Sequence, residues 1–341
     1  MLYALCGFPT EGRLLMNKVD RKTKLKGVLT GWVIAFIILL LPVAIFKSQY
    51  LLYLSSLTCI YMICACGLNI ILGYAGQISL AQAGFLGIGA YTVALLGPAV
   101  SFWVALPLAG LICFVVGLGL GFPSLRVKTH FLAMVTLGFT VIVYLILVNE
   151  QQWTGGPFGL FNIPRPKIGP FAFTSPAGYH VIVALITFVL LLLAFWALNS
   201  QWGRAFKAIR ENEGRAEMLG VNLRNYKLMA FAIGSGFAGI AGGLIAPLFG
   251  YIDPTMFALG FSFQFLLMVV VGGIGRFEGP LLGAMIVAIL PEALRVTEKL
   301  YPIIFALAAV FIMVFMPKGS VSFIDWVYRK VTGKEELQLT K

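Results

Sequence analysis

The groups able to act on an aqueous partner are gathered in one interior segment, residues 201–227, QWGRAFKAIRENEGRAEMLGVNLRNYK. Arg204, Lys207, Arg210, Arg215, Arg224 and Lys227 stand there among Glu211, Glu213 and Glu217, while both flanks run apolar for tens of residues. Helical spacing puts Phe206, Ile209, Glu213, Ala216 and Leu219 on one face. Gly220 is expected to stop that helix and Asn222 to open the next, because glycine accepts the left-handed turn at a helix end and asparagine caps a helix start. A short helix, a glycine break and a second helix make a rigid knob that a soluble partner can push. The rival reading is a solvated loop that merely keeps positive charge on one side. A tether has no use for an apolar face, which favours the knob.

Catalytic constellations are missing. No G-x-x-x-x-G-K-[ST] loop is present to cradle nucleotide phosphates, so ATP hydrolysis is not expected of this chain. No H-E-x-x-H occurs, and the two histidines, His130 and His180, are expected near opposite faces of the membrane, too far apart to share a metal. Ser235 has no histidine partner, and no predicted crossing carries a mid-span Asp, Glu, Lys or Arg, which argues against a pump built on ionisable groups. The five cysteines, Cys6, Cys59, Cys64, Cys66 and Cys113, read as small apolar residues rather than ligands or a disulfide framework. Neither a cofactor nor a metal is expected. What remains is polar and uncharged: Asn69, Gln77, Ser79 and Gln82, a set that could line a path for a neutral or zwitterionic solute, or equally bond one helix to another.

The elements that position these groups follow from composition. The chain has 341 residues, 60% hydrophobic and 11% charged. Several stretches exceed the roughly 20 apolar residues that span a bilayer, so the fold class is an all-α integral membrane protein. A formal charge of +12 could suggest nucleic acid, but cations accumulate in the cytoplasmic loops of membrane proteins, and no nucleic-acid partner is expected. No cleavable signal peptide is evident, because the first apolar run follows a long basic segment.

Charge also counts the passes. Arg13, Lys18, Arg21, Lys22, Lys24 and Lys26 make residues 1–26 a cytoplasmic tail, and 27–46 is the first crossing. Residues 48–125 contain no charge, and parity chooses three crossings there, with a turn at Gly73–Gly76 between the first two, since Arg126 and Lys128 then fall inside. Further crossings are expected at 129–149, 179–199, 228–247, 259–275, 279–294 and 300–316, with 150–178 an external proline-rich loop and 200–227 cytoplasmic. The segment 279–294 is short enough to be a re-entrant half-helix. The count is about ten crossings in a transmembrane domain over 27–317, with both termini, including the 318–341 tail, in the cytoplasm. Lys47, Arg165, Lys167, Arg295 and Lys299 are then the outer cations, and the rest lie inside.

Between helices in lipid, small residues allow close backbone approach. Ala75, Ser79, Ala83 and Gly87 recur every fourth residue, as do Ser235, Gly239 and Gly243, and Gly275, Gly279 and Gly283, predicting three packing ridges among 38 glycines. The glycine-rich turns at 73–76 and 272–278 are compatible with a faint internal duplication.

Four stretches carry a family resemblance: GLNIILGYAGQISLAQAGFLGIGAY (67–91), TGGPFGL (154–160), GRAFKAIRENEGRAEMLGVNLRNYKLMAFAIGSGFAGIAGGL (203–244) and VVVGGIGRFEGPLLGA (269–284). In this order they resemble the permeases of branched-chain amino acid ABC importers, the LivM-type subunit. The resemblance implies a bacterial inner-membrane subunit that works with two ABC ATPase subunits, a second related permease and a periplasmic substrate-binding protein, and that carries leucine, isoleucine or valine. It also implies that the loop around Arg210–Gly220 docks on the ATPase, with Arg204, Phe206, Ile209, Arg210, Glu211, Asn212, Glu213, Ala216 and Gly220 as the coupling residues. Three positions depart from the family pattern: Ser79-Leu80-Ala81-Gln82 where Ser-Leu-Gly-His is common, Phe158 where a small polar or acidic residue is frequent, and Arg276 where Thr is usual. Urea or short-amide importers of the same fold therefore stay open as an alternative, as does a stand-alone channel or secondary carrier.

Overall fold

A computed structural model describes residues 48–124, 129–168, 171–172 and 175–293, together with positions 37, 39–42 and 320. The predicted first crossing at 27–46 lies almost wholly outside the described residues; the last crossing at 300–316, the N-terminal tail and, apart from position 320, the C-terminal tail lie outside them. Among the described residues, five helices are long and apolar enough to cross a bilayer, and three more apolar helices are shorter. The chain is a multi-pass membrane protein.

The charge-free run folds as three helices. Helix α1 (Gln49–Leu68) continues into a π-helical segment, Asn69–Tyr74; α2 spans Gln82–Leu96 and α3 Phe102–Ser124. The chain reverses at the expected glycines, with Gly76 left-handed at φ +69°. Helix α2 holds only 15 residues, about 22 Å of rise against a hydrocarbon thickness of about 30 Å. Its missing length is made up by 75–81, an irregular stretch at membrane depth. Such backbone is tolerable only when protein groups satisfy it, and neighbouring side chains do so. Leu80 N donates to Thr136 Oγ1 (3.0 Å), Thr140 Oγ1 donates to Leu80 O (2.7 Å), and Ala83 N donates to Ser262 Oγ (3.0 Å).

This geometry corrects two expected ridges. Ala75 and Ser79 are not helical, so they share no face with Ala83 and Gly87. Gly275, left-handed at φ +78° and ahead of the helix that starts at Gly279, shares none with Gly279 and Gly283. An every-fourth-residue pattern becomes a ridge only if the backbone is a helix throughout.

Helix α4 (Thr129–Asn149) matches its expected span. Of the loop expected over 150–178, the described residues up to 175 form the helical turn Gln151–Thr154, the 3₁₀ turn Gly156–Phe158 and short strands, and 176–178 are helical. Strand β1 (Leu160–Phe161) pairs antiparallel with β4 (Tyr251–Ile252), and β2 (Lys167–Ile168) with β3 (Phe171–Ala172). Helix α5 (Pro176–Asn199) starts three residues before its expected position. Pro176 at the first helical position has no amide to waste, and Ser175 Oγ caps Gly178 N at 3.1 Å.

The charged segment forms two helices, α6 (Gln201–Glu211) and α7 (Glu213–Met218), then leads into α8 (Leu223–Phe249). Asn222 caps α8 through Oδ1 to Asn225 N at 3.1 Å. Helix α8 is the hub, buried between α1, α2 and α3. Its glycines make that possible. A Cβ on Gly234 would lie 2.6 Å from Gly67 O, and one on Gly239 would lie 2.6 Å from Cys113 Sγ; on Gly242 it would collide with Leu86 O. Ser235 faces Gly117 and donates its hydroxyl to Ala232 O.

Helix α9 (Leu259–Gly272) is too short to span alone and packs beside α10, described over Gly279–Ala293. Gly272 and Gly279 face each other, as do Gly283 and Met268 O, closer than any side chain would permit. Outward faces of α3, α4 and α5 carry exposed Leu111, Val115, Met134, Ile142 and Leu193, the surface that hydrocarbon selects.

Overpacking a close helix contact costs about 1–3 kcal/mol. Gly242→Val should therefore lower the thermal midpoint of the purified protein in detergent. Gly138→Val, where no atom lies within 4 Å of an added Cβ, should leave it unchanged.

Candidate functional site

The loop between α5 and α8 is seated rather than dangling. Ser200 Oγ accepts from Trp202 N at 3.2 Å and starts α6 one residue after α5 ends. Gly203, Ala205, Phe206 and Ile209 turn inward and are buried, with Phe206 and Ile209 each only 1% exposed. The Tyr226 ring in the first turn of α8 meets Trp202 edge-on at 6.0 Å and Phe206 at 6.2 Å. Lys227 Nζ reaches Glu213 Oε2 at 2.7 Å. The loop is thus braced against α8, the most buried of the long helices.

The single continuous helix expected over 203–219 is corrected. Asn212 is extended (φ −163°, ψ 110°), and its Oδ1 accepts from Arg215 N at 3.0 Å, so it ends α6 and caps α7. The break turns α7 outward. Of the five residues expected on one face, Phe206, Ile209 and Ala216 are buried, whereas the Glu213 side chain is 50% exposed and Leu219 is 81% exposed. Met218, which the sequence reading left aside, is 89% exposed beside it. Gly220 follows in the left-handed region at φ +81° with open space around it. Arg204, Glu211, Asn212, Arg215 and Glu217 complete a charged surface around this apolar tip. A signal for the tip existed in the sequence: two large apolar residues directly before a helix-ending glycine, in a segment otherwise charged.

Arg210, also exposed, reaches back from that surface to the bundle. Its Nη1 donates to Gly73 O, across from the π-helical end of α1, and its Cγ and Cα lie 3.4 and 3.5 Å from where a Cβ of Gly76 would stand. Gly275, at φ +78°, adjoins the same guanidinium. Asn69 joins the two chain breaks directly: Nδ2 donates to Arg276 O (2.9 Å) and Oδ1 accepts from Gly275 N (3.0 Å). Lys207 Nζ sits 5.5 Å above the Tyr74 ring. Beside these groups lies a cavity of about 720 Å³ bounded by Tyr74, Leu198, Lys207, Arg276 and Glu278.

The four polar residues considered for a path are all buried. Asn69 is spent on the second break, and Ser79 Oγ accepts from Ala81 N at 3.3 Å. Gln82 Nε2 donates to Cys64 O at 3.4 Å. Among the described residues, Gln77 Oε1, Gln82 Oε1 and the Tyr91 hydroxyl are buried without a hydrogen-bond partner, each at a cost of about 1–3 kcal/mol. His180 is held between Ser56 Oγ and Leu39 O, both at 3.0 Å, and the four described cysteines are free and buried. No group of His, Cys, Asp or Glu that could hold a metal occurs among the described residues.

A glycine-packed helix bundle with a seated charged knob on one end is the architecture of a permease, and residues 50–317 match the family described as branched-chain amino acid transport system / permease component. This chain belongs to that family. It is 33% identical over 313 residues to the high-affinity branched-chain amino acid transport system permease protein LivM of Escherichia coli (strain K12), covering 84% of this chain and 74% of that one. Its identity to the LivM protein of Salmonella typhimurium is 34% over 291 residues, 78% and 68% of the two chains. To the LivH permease protein of E. coli K12 it is 31% over 146 residues, 41% of this chain and 46% of that one. No solved structure matches the chain.

Removing the Phe206 ring should unseat the loop, since emptying a buried aromatic site costs about 3–5 kcal/mol. Trypsin cleavage after Arg204, Arg210 or Arg215 should accelerate at least tenfold in Phe206→Ala. Glu213→Gln, which loses a half-exposed ion pair worth about 0.2–1 kcal/mol, should change it by less than about fivefold.

Proposed function

We propose that this chain is the permease subunit of an ATP-driven importer of a bacterial inner membrane, moving leucine, isoleucine, valine or similar amino acids. It is a non-catalytic subunit driven by separate ATPase subunits. The single observation that carries the reading is the α6–α7 knob in a chain of this family: Phe206, Ile209 and Ala216 seat it, and Met218 and Leu219 project from it among charges. Large apolar side chains on a water-facing, charged tip favour a protein partner over bulk solvent. In this reading Arg204, Glu211, Asn212 and Glu213 set the rim of the ATPase contact, and Gly220 supplies the left-handed turn that shapes the tip.

The full chain crosses about ten times, with the 200–227 loop and both termini on the ATPase side; the distribution of Lys and Arg supports this. A second, related permease pairs with it, since the chain resembles both the LivM and LivH proteins. A periplasmic substrate-binding protein delivers cargo to the outer surface formed by 150–178 and the β1–β4 pairing. Gln77 and Gln82 offer uncharged acceptors to a passing ammonium group, which suits a zwitterion better than a bare ion.

The test uses the transporter reconstituted with its ATPase subunits, companion permease and receptor. Met218→Asp, Leu219→Asp, Glu213→Arg and Gly220→Pro should each lower leucine-stimulated ATP hydrolysis at least tenfold while leaving the permease folded. Unchanged hydrolysis in all four would remove the coupling role, and leucine uptake by the permease alone in liposomes would replace the importer with a channel or carrier.

A further inference from the structure

Two interrupted membrane segments, 206 residues apart at Asn69 and Gly275, meet at one side chain of the coupling loop. From these contacts we infer that Arg210 is a positioning residue that fastens the coupling helix to both glycine breaks at once, so that displacement of the helix moves the two breaks together. The inference rests on the importer reading above and adds the route by which the push enters the bundle.

The first break follows α1. Its Gly73 carbonyl receives Arg210 Nη1, and Gly76 lies against the aliphatic part of the same side chain. The second break joins α9 to α10. Its Gly275 is so close to the guanidinium that a Cβ would overlap Nη1 and stand 2.7 Å from Gly73 O. A Cβ on Gly73 would in turn lie 2.6 Å from Gly275 N. Asn69 then bonds the second break from the first through both ends of its amide. An arginine that merely capped the carbonyl end of α1 would explain the bond to Gly73. It would not explain why the second break comes into contact with the same guanidinium, or why Gly73 and Gly275 leave no room for a Cβ between them. Gly76, Gly273 and Gly275 are all left-handed (φ +69°, +126° and +78°), which lets the backbone enter where a side chain could not. The fork of an arginine is rigid and planar, so its orientation is transmitted where the flexible stem of a lysine would yield. The neighbouring cavity, lined by Arg276, Phe277 and Glu278 from the second break, gives that segment room to be displaced.

The experiment compares wild type and Arg210→Lys in the reconstituted transporter, reading leucine taken up per ATP hydrolysed and hydrogen–deuterium exchange of the amides at 70–77 and 272–278. The expected result is an assembled transporter in which uptake per ATP hydrolysed falls at least tenfold, uptake falling far more than hydrolysis. On ATP addition the two segments should change protection together in wild type and independently in the variant. Gly275→Ala, which keeps Arg210 but whose Cβ would displace its guanidinium from Gly73 O, should give the same phenotype, and the double variant should be no worse than either single one. Hydrolysis and uptake falling in parallel would make Arg210 an ATPase-docking residue, and unchanged uptake per ATP would make it a static cap; either overturns the inference. Should Arg210→Lys fail to assemble, Gly275→Ala carries the same expectations and the same overturning results. Failure of the importer reading shows separately, as wild-type uptake that needs no ATP.

Discussion

A buried backbone amide or carbonyl left without a partner costs several kcal/mol, and this chain interrupts its helices inside the packed bundle. Much else in the bundle follows from that constraint. The stretch from Ala75 to Ala81 is held at Leu80 by hydroxyls of Thr136 and Thr140 from α4, and the first turn of α2 by Ser262 from α9. The connection between α9 and α10 is held by the Asn69 amide. Two helices and a polar side chain are thereby committed to places they would not otherwise need to occupy. The glycines of α8 then let α1, α2 and α3 close around it without a gap.

Under the proposed importer function, the same constraint would let a partner work the bundle from outside. Regular helices packed in lipid resist small displacements, whereas irregular segments have alternative backbone arrangements of similar energy. Placing both segments beside the seated loop puts the most compliant backbone next to the point where force arrives. The loop itself is stiff: α6 is short and buried on one face, and Tyr226, Lys227 and the Asn222 cap continue it into α8. A soluble partner that grips Met218 and Leu219 would therefore move the hub, not just the tip.

How far the sequence disclosed this depends on whether the signal was local. Charge parity and the glycines at 73–76 located the three helices of the charge-free run, and α4 ends where its apolar run ends. Asn222 was legible because an asparagine cap acts within three residues. Asn212 was not, because the same capping chemistry lay inside a run that reads as helix, and its side-chain bond to Arg215 N outcompeted continuation. The ridge through Ala75 and Ser79 failed for a related reason, since a period of four presumes the helix that Gly76 ends. Asn69, Ser79 and Gln82 stood out in the sequence as path lining or interhelical bonds, and much of their polarity is spent on buried backbone. The meeting of Gly73, Arg210 and Gly275 had no local trace: each is separated from its partner by many tens of residues, and only folding brings them together.

The account depends on the knob facing the compartment where ATP is. The most direct measurement places a single reactive cysteine at Met218 in a chain otherwise free of cysteine and exposes it to a membrane-impermeant maleimide in vesicles of known orientation. Rapid labelling in inside-out vesicles, with none in right-side-out vesicles until they are permeabilised, is the predicted result. Labelling from the outer face of intact right-side-out vesicles would contradict it and with it the whole direction of force through the bundle.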